Sequence, residues 1–302
     1  MRFSIQQNTI QGKRHDNQDR MGHIYTKDAL LLVVCDGLGG HGNGEKAAAW
    51  ALETLAQRFQ YFAKPLIYDP VIFLEASIIA AHKRILKKTP IEKLSTHPRT
   101  TIVCALIQSG QIWIAHSGDS RAYHIRAGSA IARTRDHSKL QFLIDTGRIK
   151  ASEAGPNHPD RNRLVNCLGA EIPPSVEHTG PFKLLENDIV LLCSDGVWGS
   201  LSDDKLLKLI SQPSLSQALP LLVSSASNSG GIYADDATGL AVRWLADFSD
   251  TNLVDSEHIK ADFESTVHLT LTQATDMRIM TDEEMNQQVL EIRKALAKFN
   301  SR

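Results

Sequence analysis

The sequence predicts an α+β fold, two antiparallel sheets packed face to face with helices outside, a four-layer α-β-β-α sandwich. Three observations carry this. Short, turn-bounded apolar segments of strand character follow one another instead of alternating singly with helices. The pairs Ser109-Gly110 and Ala127-Gly128 stand where two-residue hairpin loops would turn an antiparallel chain. Helical periodicity is grouped between the strand segments, which favours segregated layers over a doubly wound sheet.

In chain order, the run ALLLVVC at 29–35 reads as the first strand. Leu52, Leu55, Ala56 and Phe59 mark one amphipathic helix, and Leu74, Ile78, Ala81 and Ile85, at steps of 4, 3 and 4, mark a second. Residues 100–134 read as an antiparallel meander of strands at 100–108, 111–116, 121–126 and 129–134. Ser138 with Gln141 three residues on forms a capping box for a helix bearing Leu140, Leu143 and Ile144, and Gly147 ends it. Residues 150–174, with Gly155, Pro156, Pro159, Gly169, Pro173 and Pro174, have the irregularity of a surface flap over a site. Strands follow at 188–193 and 238–244. The polar, acidic stretch 246–256 reads as a linker, and a last helix begins at Thr281, where Glu284 completes a capping box ahead of Met285, Val289, Ile292, Leu296 and Phe299. The expected division is one large domain over 1–247 and a linker with a helical extension over 248–302.

Composition narrows the function. With 33 Lys+Arg against 34 Asp+Glu in 302 residues, there is no basic footprint for nucleic acid or an anionic membrane. The longest apolar runs fall far short of a bilayer span, and the first twenty residues show no apolar leader. Cys35, Cys104, Cys167 and Cys193 have no C-x-x-C spacing, which disfavours structural zinc and fits small buried hydrophobes of a reducing, cytoplasmic compartment.

Acidic residues border the strands. One apolar run ends in Asp36-Gly37 and another in Asp195-Gly196; Asp235-Asp236 precedes the strand at 238, Asp119 lies between two meander strands, and Asp19 follows near the start. A carboxylate at the mouth of a buried strand is costly unless a cation or a dense set of hydrogen bonds meets it. Several at one end of a sheet pair call for hard divalent cations, Mg²⁺ or Mn²⁺, held by oxygen. Two such ions about 3.5–4 Å apart can share a carboxylate and a bridging water and stabilise in-line displacement at phosphorus. Asp36 is the natural bridge. Arg14 offers a planar guanidinium for two phosphoryl oxygens, and His41 is a candidate proton donor to the leaving group.

The motifs GKRHDNQD (12–19), VVCDGLGGHGNGEKAA (33–48), RTTIVCAL (99–106), AHSGDSRAY (115–123), DHSKLQFLIDTGRI (136–149), LLCSDGVW (191–198) and DDATGLAV (235–242) together resemble the metal-dependent, type 2C serine/threonine protein phosphatases, especially bacterial stand-alone members. The resemblance covers about residues 1–245. It implies a β-sandwich flanked by helix pairs and a binuclear Mn/Mg centre. Asp36 matches the bridging aspartate, Gly37 the glycine whose carbonyl binds the second metal, and Asp195 and Asp235 the other aspartates of the first. Asp119 matches the aspartate of a third, weaker site, Asp19 an outer carboxylate that orients water, and Arg14 the phosphate-binding arginine. It further implies phosphorylated protein substrates and, by analogy, a cognate serine/threonine kinase.

The sequence also departs from the family pattern. Gln18 replaces a frequent Glu, Leu38 stands where animal relatives place a histidine, Asp236 replaces an Asn, and Arg99 replaces a Gly before the Thr-Thr pair. Retention of the carboxylate set favours an active enzyme over a phosphoprotein-binding relative that keeps only the fold.

Overall fold

The computed structural model describes residues 1–38, 43–154 and 158–245. Two five-stranded antiparallel sheets form its centre. The first contains, in spatial order, β1 (Phe3–Ile10), β12 (Ala237–Trp244), β11 (Ile189–Cys193), β8 (Arg121–Arg126) and β9 (Ser129–Arg133). The second contains β10 (Glu177–Lys183), β7 (Gln111–Ser117), β6 (Ile102–Gln108), β3 (Ala29–Cys35) and β2 (Arg20–Tyr25). A two-residue pair, β4 (Gly37–Leu38) with β5 (Arg99–Thr100), closes one corner.

Strand periodicity explains why ALLLVVC is apolar throughout. Its side chains alternate between faces. Leu30, Leu32 and Val34 meet Val103, Ile114, Val190, Leu240 and Val242 between the sheets. Leu31, Val33 and Cys35 face the other way, toward α1 (Gly44–Phe62) and α2 (Pro70–Ile91), whose Leu52, Leu55, Phe59, Leu74, Ile78 and Ile85 complete that layer. The first sheet is covered likewise. α5 (Asp203–Ile210) and α6 (Leu215–Gly230) lay Leu206, Leu219, Leu222 and Val223 on Tyr123, Leu191 and Ala241. The four-layer expectation therefore matches the structure.

Both hairpin loops turn as expected: Ser109 and Gly110 have φ of 50° and 66°, and Ala127 and Gly128 have 48° and 79°, the double left-handed turn that suits the strand twist. Ser138 caps α3 (Lys139–Asp145) by accepting from the Gln141 N–H at 3.2 Å. The reciprocal half of the box is absent, because the Gln141 side chain donates instead to Asp145.

Two expectations need correction. The 100–134 meander is split between the sheets: β6 and β7 pair in one, β8 and β9 in the other, and the chain crosses at Gly118-Asp119-Ser120. The strand expected over 100–108 is interrupted at Thr101, which turns its backbone N–H to the Asp36 carbonyl at 2.8 Å. Beyond these, Asp195-Gly196 opens a short helix, α4 (Asp195–Trp198), directly after β11. The linker at 246–256 and the helix from Thr281 lie outside the described residues.

Candidate metal centre

Strand register gathers the acidic residues. β3 runs antiparallel to β2 and β6, and β6 to β7, with Arg20 opposite Cys35 and Ile102 opposite Ser117. The start of β2, the end of β3 and the end of β7 therefore share one edge, and with them Asp19, Asp36 and Asp119. In the other sheet Cys193 lies opposite both Arg121 and Gly239, and Ile10 opposite Ala237. That register brings Asp195, Asp235 and the loop carrying Arg14 to the same end. Ser194, just after β11, donates from Oγ to Asp19, just before β2, so the two sets face each other.

Asp19, Asp36 and Asp119 are almost fully buried. Asp19 accepts from Ser194 Oγ at 2.7 Å through Oδ2, but its Oδ1 is buried without a partner, as is Oδ1 of Asp195. Arg14 is half-exposed at the rim and donates from Nη2 to Asp235 Oδ2 at 2.8 Å. Burial, reinforced by neighbouring carboxylates, pushes Asp19, Asp36 and Asp119 well above the usual carboxylate range. Asp195 is pushed up to about 6 by burial and Asp235, even with a hydrogen bond to Asp36 in its favour. Burial also raises Asp235, against the pull of Arg14.

The donors suit a hard divalent cation: oxygens only, two of them buried and unmatched, in a cluster whose negative charge exceeds what Arg14 can offset. Among the described residues, the compact trio of ligand-type side chains, with donor atoms within 4.8 Å of one another, is His116, His137 and Glu177, not the aspartates.

Several residues support the site through partners that the sequence does not show. Thr101 accepts from the Asp36 N–H at 3.0 Å and shares a 2.7 Å hydrogen bond with Ser120 Oγ, tying the end of β3 to the crossing turn. Asp236 accepts from the Gly12 and Gln18 N–H groups, each at 2.8 Å, and so anchors both ends of the loop bearing Arg14. Trp198 Nε1–H donates to the Asp119 carbonyl at 3.0 Å. Each lies in a quoted motif, but only the fold reveals its partner. Gly37 is required by close approach, since a Cβ there would lie 2.4 Å from the Gly44 carbonyl carbon and 2.6 Å from the Gln18 oxygen. Within the 150–174 segment, Leu168 pairs with Thr100, and the Arg161 guanidinium lies 5.2 Å from the Trp198 ring centroid, so the segment does reach this end. His41 lies outside the described residues.

A two-sheet sandwich with an acidic, cation-seeking end and an arginine at its rim defines the class: a divalent-metal-dependent phosphatase. Comparison with known proteins makes the assignment specific. Residues 9–222 match the Protein phosphatase 2C family profile. A serine/threonine phosphatase stp of Listeria welshimeri is 31% identical over 76% of this chain and 90% of its own. PstP of Mycobacterium tuberculosis, a serine/threonine protein phosphatase, is 30% identical over 72% of this chain and 40% of its own. Among solved structures, phosphatase Stp1 from Staphylococcus aureus superposes with TM-score 0.72 at 29% identity, over 80% of this chain and 95% of that one. The catalytic domain of PstP in complex with two manganese ions superposes with TM-score 0.67 at 26% identity, over 81% and 99%. The chain belongs to the protein phosphatase 2C family and is a serine/threonine phosphatase.

Proposed function

We propose that the acidic end of the sandwich is a binuclear Mn²⁺ or Mg²⁺ centre at which phosphoserine and phosphothreonine in proteins are hydrolysed without a phosphoenzyme. The observation that carries this reading is the pair of buried, unmatched oxygens, Asp19 Oδ1 and Asp195 Oδ1, within a carboxylate cluster. Asp36 would bridge the ions, Asp195 and Asp235 would hold one, and the Gly37 carbonyl the other. Asp119 would serve a third, weaker site, and Asp19 would orient water from just outside. When bound, the cations supply the positive charge that acidifies water and offsets charge on the phosphoryl oxygens.

The chain's own groups do the rest. A guanidinium has five N–H donors; Arg14 gives one to Asp235 and, half-exposed, has others for phosphoryl oxygens. Ser194 holds one oxygen of Asp19 and leaves the other buried without a partner. Water displaces the serine or threonine oxygen at phosphorus, releasing inorganic phosphate, and the departing oxygen takes up a proton, for which His41 is the proposed donor. The relatives' names support phosphoprotein substrates, and a kinase acting on the same targets is the proposed counterpart. A cytoplasmic location is supported by four free, buried cysteines. No helix among the described residues is long and apolar enough to cross a membrane.

The test is hydrolysis of p-nitrophenyl phosphate and a phosphothreonine peptide with Mn²⁺, Mg²⁺ or EDTA. Activity should require the metal, and Asp36→Asn should abolish it. Wild-type turnover by Asp36→Asn with Mn²⁺ would overturn the binuclear reading.

A further inference from the structure

The trio of His116 on β7, His137 just before α3 and Glu177 at the start of β10 invites a metal assignment, with the two imidazoles stacked 4.5 Å apart between centroids. The surrounding hydrogen bonds place the protons and argue otherwise. His116 Nε2 lies 2.6 Å from the Arg135 carbonyl, which can only accept, so Nε2 carries the proton and the buried Nδ1 is bare.

At His137 two donors converge on Nδ1: the Gly118 N–H at 3.2 Å and the Asn166 amide at 2.7 Å. The amide's orientation is set by Ser175, whose N–H donates to Asn166 Oδ1 at 3.1 Å and whose carbonyl accepts from Nδ2 at 2.7 Å. Nδ1 is therefore an acceptor, and Nε2 bears the proton, 3.3 Å from Glu177 Oε2. A cation on that Nε2 would drive the proton onto Nδ1, against both donors.

We propose instead that His137 is a positioning residue, whose Nδ1 holds the Gly118-Asp119 turn and ties it to the segment around Asn166. The same Gly118 also accepts the His137 N–H at its carbonyl, at 3.0 Å, so one residue is clamped at both of its polar groups. Asp119 follows directly, and its carbonyl accepts from Trp198 Nε1–H. Val165 adds a further tie, donating its N–H to the His137 carbonyl at 2.9 Å. The His137 ring and the Trp198 indole thus join the Thr101–Ser120 hydrogen bond in holding the turn at which the chain changes sheets. The proposal rests on the reading of Asp119 as a cation ligand.

The variants separate the two ring nitrogens. His137→Asn keeps an acceptor near the Nδ1 position, whereas His137→Gln keeps a donor toward Glu177 and loses that acceptor. Calorimetric Mn²⁺ titration of the full chain should show His137→Gln weakening the weakest class of site by about 10- to 100-fold, as loss of a ligand-orienting partner does. His137→Asn should restore binding, and Glu177→Gln should leave it unchanged. Asn166→Leu, a second variant should His137→Gln not fold, should weaken the same site by less. Long-range ¹H–¹⁵N NMR of the metal-free protein should show His137 Nδ1 unprotonated.

If Asp119→Asn weakens that site while His137→Gln and Asn166→Leu bind as wild type, the positioning role is overturned alone. If Asp119→Asn changes no Mn²⁺ binding, the reading of Asp119 fails and the proposal with it. A protonated Nδ1, or Zn²⁺ binding by the wild type that Glu177→Gln abolishes, would overturn the proton assignment and restore the trio as a metal site.

Discussion

The second aspartate of the Asp235-Asp236 pair shows how a departure from a family pattern acquires a physical meaning. Asp236 accepts two backbone N–H groups, one on each of its oxygens, from the two ends of the loop that carries Arg14. An asparagine has a single acceptor oxygen. Asp236→Asn should leave one of these N–H groups unsatisfied, cost about 1–3 kcal/mol, and raise KM for p-nitrophenyl phosphate more than it lowers kcat, because the loop positions Arg14, the proposed phosphate-binding residue. Steady-state kinetics with chemical denaturation check both effects. Of the sites expected from sequence, Arg14, Asp19, Asp36, Asp119, Asp195 and Asp235 converge on one end of the sandwich, with Gly37 directly beside Asp36. His41 lies outside the described residues. What could not be read from the sequence was the role of Thr101 and Ser194, or the partners of Asp236, because small polar residues and a second acid act here through groups more than forty residues away in the chain, and composition carries no trace of a partner.

Elements were legible where the pattern was strong and buried. ALLLVVC, the two long helices and both two-residue loops stood out because each meets an apolar layer or a specific backbone twist. Other elements carry weaker signals. β1 alternates Phe3 and Ile5 with polar residues and buries Gln6 and Gln7; β10 is a polar edge strand; and α6 contains Pro220 and a run of serines. These form because neighbours supply the missing terms: β12 pairs along the whole of β1, and the sheet face takes Leu219, Leu222 and Val223 of α6. Two substitutions test the packing and the tie separately. Leu32→Ala, between the sheets at 0% exposure, should cost about 2–5 kcal/mol in urea denaturation and leave KM near wild type. Thr101→Val should cost about 1–3 kcal/mol, because the buried Asp36 N–H loses its acceptor, and should also reduce kcat.

Across the whole molecule, the acidic end trades stability against readiness for a cation. Asp195 holds its proton more tightly when folded, moving from 3.8 to about 6. Within that window the folded form carries more protons than the unfolded one, so stability of the metal-free protein falls as pH rises through it. Asp19, Asp36 and Asp119 shift in the same direction and so add to the loss. Thermal melts in EDTA should therefore show a falling Tm from about pH 4 upward, and excess Mn²⁺ should raise Tm by mass action, more at neutral than at acidic pH. A rising Tm in EDTA over that range would contradict the charge assignment. The expected boundary near residue 247 makes a separate prediction: truncation after Ala246 should leave phosphatase activity and Tm unchanged. By itself the sequence determined the layer architecture and the acidic residues at the strand ends, because periodicity and the cost of burying a carboxylate are local and read directly from residue types. Only the tertiary structure decided that the meander divides between two sheets at Asp119, that Asp195 opens a helix, and that His137 faces two donors, because register and hydrogen-bond direction depend on which distant segments meet.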